Sequence, residues 1–186
     1  MATLYGTQSN GQLVPVQADS QGRLVAELAN QDDIPSYQDG LWTPFFQSTA
    51  GGFDASYDVQ AGSYYRIGQW VTVQFRARIS AVLGTSGGTM SVGNLPFLCE
   101  SLAADLYFPG YVSFASGFAV GWEPQTIRCR EDYANAELRL YRLNTSTNTW
   151  QTIGPGRIQA GCDLEGGVTY RTNDTTLIPT NGATLR

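Results

Sequence analysis

Residues 61–80 read AGSYYRIGQWVTVQFRARIS, and apolar side chains recur at every second position through most of the stretch. Tyr65, Ile67, Val71, Val73, Phe75, Ala77 and Ile79 form one set, and Arg66, Thr72, Gln74, Arg76, Arg78 and Ser80 stand between them. A period of two marks a half-buried β-strand. Gly68-Gln69 puts glycine first in a two-residue loop, which predicts a type II′ hairpin. On this reading Arg66, Arg76 and Arg78 share the polar face of the hairpin, and Trp70 lies opposite Val71.

The rest of the chain follows the same grammar. Its 186 residues suffice for one core and a short appendage. Charged residues make up only 15%, whereas glycine (21 residues) and aromatics (12%) are plentiful. That mixture favours short strands and tight turns, and no long segment carries a helical apolar period. LWTPFFQ (41–47), FDASYDVQ (53–60), a short run at 90–92 and YVSFASGFAV (111–120) read as strands, the last bent at Gly117. TIRCR (126–130), AELRLYRLN (136–144), TWQTI (149–153) and VTYRT (168–172) complete the set. Ile127 and Cys129 should share a buried face, as should Leu138 and Leu140. Eight to ten such strands predict an all-β fold, an antiparallel β-sandwich that is jelly-roll-like.

Residues 1–30 read as a separate N-terminal β-hairpin, GQLVPVQ and GRLVAEL joined by ADSQG, with Pro15 implying an edge or bulge. Two strands do not stabilise themselves in water. The hairpin therefore needs a surface to lie on, and Leu13, Val14, Val16, Leu24 and Val25 are its candidate attachment residues. QDDIPSYQDG (31–40) reads as a linker, and the main domain is expected over 41–186.

Composition excludes much chemistry. The chain contains no histidine, and all eleven of its basic residues are arginine. Schiff-base lysine chemistry, a phosphate-binding P-loop, Ser-His-Asp and Cys-His catalysis and histidine metal sites are thereby ruled out. A net charge of −5 argues against nucleic acid as a partner. Cys99, Cys129 and Cys162 are odd in number, far apart and lack CxxC spacing. Reduced, buried thiols are expected, with one bridge plus one free thiol as the alternative. No apolar run approaches the length of a membrane span, and no cleaved signal peptide is expected.

Asp32-Asp33 and Glu131-Asp132 are adjacent in sequence, which does not place two carboxylates across a bound sugar. The glycine-rich LGTSGG is a turn, since no lysine follows it. No catalytic residue, metal or cofactor is expected. The arginines at 66, 76 and 78 offer either a cationic stripe for an acidic ligand or a solvated or intersubunit face. Arg128, Arg130, Arg139 and Arg142 pose the same choice. Trp42, Trp70, Trp122 and Trp150 offer a sugar-stacking platform or, more commonly, core and intersubunit packing.

GLWTPFFQ, SYDVQAGSYYRIGQWVTVQFRARIS and VGNLPF together resemble a pattern in bacteriophage virion proteins. The pattern runs from a W-T-P strand through a G-x-Y-x-R/K-I-G hairpin and a V-x-V-x-F strand to a turn of the G-L-P-F kind. It spans about residues 40–98. YGTQSNGQLVPVQADSQGRLV is similar to the opening of small structural proteins of phages that infect cyanobacteria. The resemblance implies a trimeric jelly-roll knob on a virion, assembled in the host cytoplasm. The family includes head-decoration proteins and tail-fibre tips. The expectation is therefore a non-enzymatic structural protein that decorates the capsid. Its partners would be copies of itself, a homotrimer, and the major capsid protein or other virion proteins. The alternative is a tail-fibre tip that recognises host surface polysaccharide, with an aromatic-and-acidic groove near Trp122 or Trp150. Arg66, Trp70, Arg76 and Arg78 are the candidate intersubunit or ligand face. Neither nucleic acid nor membrane is an expected partner.

Overall fold

The computed structural model describes residues 4–7, 13–18, 24–25, 37–85, 87–100, 106–132, 135–175, 179 and 181–185, with the backbone alone at 4–25, 130–132 and 135–136. The chain divides into two units, residues 1–35 and 36–186.

In the first unit, β1 (Leu4–Thr7), β2 (Leu13–Ala18) and β3 (Leu24–Val25) form an antiparallel sheet in the order β1-β2-β3. The expected hairpin is β2 and β3, with Gln17 opposite Val25 and Ala18 opposite Leu24. Its turn lies outside the described residues. The sequence reading missed β1, which places Leu4 opposite Val16 and Tyr5 opposite Pro15. Pro15 thus lies in the middle strand, not on an edge. Described pairing with β3 involves only Gln17 and Ala18, so the missing N–H of Pro15 interrupts no bond of that ladder.

The second unit is all-β and antiparallel, sandwich-like, and built as one curled sheet. Its strands are β4 (Tyr37–Trp42), β5 (Phe45–Ser48), β6 (Asp54–Ile67), β7 (Trp70–Gly84), β8 (Met90–Gly93) and β9 (Phe108–Phe118). There follow β10 (Thr126–Asp132), β11 (Asn135–Asn144), β12 (Thr149–Thr152), β13 (Ile158–Arg171) and β14 (Thr184–Leu185). The order is β14-β4-β6-β7-β13-β9-β10-β11-β8-β5, with β12 beside β11. β9 is the corner, since Gly110–Ser116 pair with β13 while Phe108 and Pro109 pair with β10. The curl brings terminal strand β5 back to β6. There the Phe46 N–H donates to the Tyr57 hydroxyl at 2.8 Å, and Gln60 Nε2 donates to the Pro44 carbonyl at 3.0 Å.

β6 and β7 form the predicted hairpin. Gly68 has φ +59°, and Gln69 is not left-handed, the pattern of a type II′ turn. The alternation over β7 holds, since Val71, Val73, Ala77 and Ile79 are fully buried and Phe75 nearly so. Over β6 the expected phase is reversed. A two-residue loop places Ile67 opposite Trp70, Arg66 opposite Val71 and Tyr64 opposite Val73. Cross-strand partners share a face, so odd-numbered inward residues on β7 require even-numbered ones on β6. Tyr64 and Arg66 are buried at 3% and 4% exposure, whereas Tyr65 and Ile67 stand 44% and 45% exposed. Arg66 therefore does not share a polar face with Arg76 and Arg78.

Three further expectations change. FDASYDVQ and the first half of the hairpin are a single strand, β6, with register shifts between Asp54 and Val59. β4 begins at Tyr37, inside the stretch read as linker, while residues 31–36 lie outside the described residues. VTYRT is only the end of the 14-residue β13. Its Gly166-Gly167 resembles a turn in sequence but lies mid-sheet. A Cβ on Gly166 would come 2.5 Å from the Tyr111 carbonyl oxygen, and one on Gly167 would come 2.7 Å from that of Val73. Close backbone approach, not a reversal, requires glycine at these positions.

The core lies inside the curl. Trp42, Phe46, Phe97, Leu95, Ile127, Leu138, Leu140, Leu164 and Tyr170 are among its members. Each such side chain contributes about 1.5–3 kcal/mol on burial. Its polar atoms are satisfied, with Trp42 Nε1 donating to the Ser63 and Gln74 carbonyls and Tyr170 Oη to the Phe97 carbonyl at 2.9 Å. Cys99, Cys129 and Cys162 are free thiols in this core.

Candidate interaction surface

The residues that alternate with the core set on β4, β6, β7, β13 and β9 form an outer face arranged in rows. Tyr37, Ile67, Trp70 and Arg171 form one row, and Asp39, Tyr65, Thr72 and Thr169 the next. A third row runs Leu41, Ser63, Gln74, Gly167 and Tyr111. Among the described residues, thirteen large hydrophobic side chains are exposed. Seven of them, Tyr37, Leu41, Tyr65, Ile67, Trp70, Tyr111 and Phe114, lie on this face. A groove of about 470 Å³ crosses it, bordered by Leu41, Ser63, Gln74, Tyr111, Ser113 and Glu165. Exposed apolar side chains are thus concentrated on this face rather than scattered singly.

The three arginines of this face, Arg76, Arg78 and Arg171, each lie beside a carboxylate. Arg76 grips Asp163 with two hydrogen bonds, Nε to Oδ1 at 3.1 Å and Nη2 to Oδ2 at 2.7 Å. Its Nε also lies 3.3 Å from Glu165. Arg78 lies 3.7 Å from Asp58, and Arg171 lies 3.3 Å from Glu100 while its guanidinium sits 5.9 Å from the Trp70 ring. Of the four residues expected to form an intersubunit or ligand face, Trp70, Arg76 and Arg78 lie here. Arg66 points the other way. Its Nε donates to the Gly68 carbonyl at 2.7 Å, its Nη2 to the Asp174 carbonyl, and its guanidinium lies 4.5 Å from the centre of the Phe97 ring.

The other half of the curl carries a different surface. On β10 and β11 the inward residues are Ile127, Cys129, Leu138 and Leu140. Arg128 is on the opposite side, its guanidinium 4.6 Å from the Tyr141 ring and 5.6 Å from the rings of both Tyr107 and Trp150. Arg142 and Arg157 stand 3.8 Å and 4.2 Å from the Trp122 ring. The four tryptophans thus divide. Trp42 is core, Trp70 belongs to the apolar face, and Trp122 and Trp150 are partnered by arginine. The surroundings of Trp122 and Trp150 are aromatic and basic rather than the expected aromatic and acidic.

Sequence reading missed one buried polar cluster. Ser91 Oγ donates to Glu137 Oε2 at 2.7 Å, and Arg139 Nε donates to Glu137 Oε1 at 2.6 Å. Nothing in the alternation marks Glu137 as buried, because it sits on the polar phase of β11. Its carboxylate is met by Ser91 of β8, a strand that only the sheet order brings alongside β11.

The attachment residues Leu13, Val14 and Val16 lie in β2, and Leu24 and Val25 in β3. Asp32-Asp33 and the side chains of Arg130 and Glu131-Asp132 lie outside the described residues. Among the described residues, no group of three or more potential metal ligands comes together, and no helix is long and apolar enough to cross a membrane. Comparison of the chain with protein-family models, curated proteins and solved structures returns no match.

Proposed function

We propose that the protein is a non-enzymatic structural protein of a virion, a β-sandwich knob that associates with copies of itself as a homotrimer. It would decorate the particle through the three-stranded N-terminal unit. The observation that carries this reading is the outer face of the β4-β6-β7-β13-β9 sheet, with its seven exposed aromatic and aliphatic side chains. Its three arginines are each paired with a carboxylate, Arg76 with Asp163, Arg78 with Asp58 and Arg171 with Glu100. A face that is largely apolar and whose arginines are already paired suits a second copy of the chain better than a charged ligand. The resemblance of residues 40–98 to phage virion proteins supports the setting.

The test is light scattering on the full chain and on a Tyr65→Arg/Trp70→Arg variant. A three-chain mass that falls to one chain in the variant is expected. A monomeric wild-type protein, or a variant that stays associated, removes the assembly reading. Labelling of purified particles with an antibody to this chain tests the setting, and absence of label refutes it. A second reading, recognition of host surface polysaccharide, is favoured by Arg128 beside the exposed Trp150.

A further inference from the structure

We infer that the outer surface around Arg128 and Trp150 is a binding site for a carboxylated saccharide. The Arg128 guanidinium has no carboxylate partner and donates no hydrogen bond among the described residues. It lies instead among the rings of Tyr107, Tyr141 and Trp150. Directly across the β10–β11 ladder stands another cation, Arg139. Like charges in opposed positions destabilise a sheet. Arg139 is hydrogen-bonded to Glu137, so Arg128 is the member of the pair left without an anion.

Arg142 and Arg157 flank Trp122 instead, and Arg142 lies on the opposite face of β11 from Arg128, with its Nη1 donating to the Gly121 carbonyl and its Nη2 to Gln151 Oε1. Arg142 and Arg157 pair with no carboxylate among the described residues, and Arg142 Nε is buried without an acceptor. A planar guanidinium offers a fork of donors that matches one carboxylate. Trp150, 46% exposed beside it, offers a flat apolar surface to a sugar ring. A ligand that carries both an apolar ring face and a spaced carboxylate satisfies the two together. A dense polyanion such as nucleic acid is disfavoured by the acidity of the rest of the molecule. The site is separate from the apolar assembly face and belongs to the second functional reading. A monomeric protein that binds the saccharide would refute the assembly reading and leave this one intact.

The probe is a galacturonate hexamer, titrated into the full-length protein and followed by the indole N–H and arginine Nε–H signals in NMR. Shifts at Trp150 and Arg128 are expected, with none at buried Trp42. Arg128→Ala should weaken binding about tenfold or more, as loss of a charged hydrogen bond does. Trp150→Ala, at an exposed position where folding is not at stake, should weaken it several-fold. The proposal is overturned by any of four results. These are no shift at about 10 mM hexamer, equal binding of a neutral maltose hexamer, equal binding by both variants, or tighter binding of single-stranded DNA.

Discussion

Arg66 stands directly across the β6–β7 ladder from Val71, on the core side of the sheet. A cation there is tolerated because two backbone carbonyls, those of Gly68 and Asp174, and the face of Phe97 surround it. Its removal leaves two half-buried carbonyl acceptors without this donor. Arg66→Met should therefore cost about 2–4 kcal/mol in urea unfolding. A cost below about 0.5 kcal/mol would show that these contacts do not hold the hairpin end.

The reversed phase of β6 makes neighbouring tyrosines unequal. Tyr64 packs edge-on against Phe97 with ring centres 5.7 Å apart, while Tyr65 faces outward. Tyr64→Ala should cost about 3–5 kcal/mol and Tyr65→Ala less than about 1 kcal/mol. Equal costs, or the opposite order, would contradict the register.

Val73 has no exposed surface, and it lies opposite both Tyr64 and Val168. Val73→Asp places an unpaired carboxylate in the core and should prevent folding. A soluble Val73→Asp protein with native near-ultraviolet dichroism would refute the burial of β7.

Gly166→Ala tests the close approach of β9 to β13. The added Cβ would meet a backbone oxygen at 2.5 Å, which no rotamer change relieves. Destabilisation of about 1–3 kcal/mol is expected from chemical denaturation. A neutral effect would mean that the strands stand further apart.

Burial pushes the Cys162 thiol up to about 12, from an ordinary value of 9.0. The folded state thus holds its proton where the unfolded state releases it. The stability this contributes is complete below about pH 9 and is lost as pH rises toward 12, by at most about 1.4 kcal/mol per pH unit. Cys162→Ala should flatten that alkaline decline in denaturation midpoints. An unchanged decline would assign it to other groups, such as Tyr57, whose hydroxyl burial also raises.

Deletion of residues 1–30 should leave a folded second unit, since the core draws on residues from Trp42 to Tyr170. The truncated protein should no longer attach to particles. Particles that still carry it would show that attachment does not use the N-terminal unit.

Alternation in the sequence was sufficient for the all-β class, the β7 core set, the Gly68-Gln69 turn and the pairs Ile127/Cys129 and Leu138/Leu140. These follow from the two-residue period of a strand, which is local. The phase of β6 was not legible from its own residues, because Tyr64 and Tyr65 are chemically alike and a two-residue loop shifts the pairing parity. The extension of β13 upstream of VTYRT, through Gly166-Gly167, was not legible either, because glycine carries no side chain to mark a phase and its place depends on β7 and β9 on either side. The apolar outer face, the burial of Glu137 and the isolation of Arg128 depend on which strands lie side by side. That order is a tertiary property. It is set by how the sheet curls to enclose its core, and residues over a hundred positions apart decide it together.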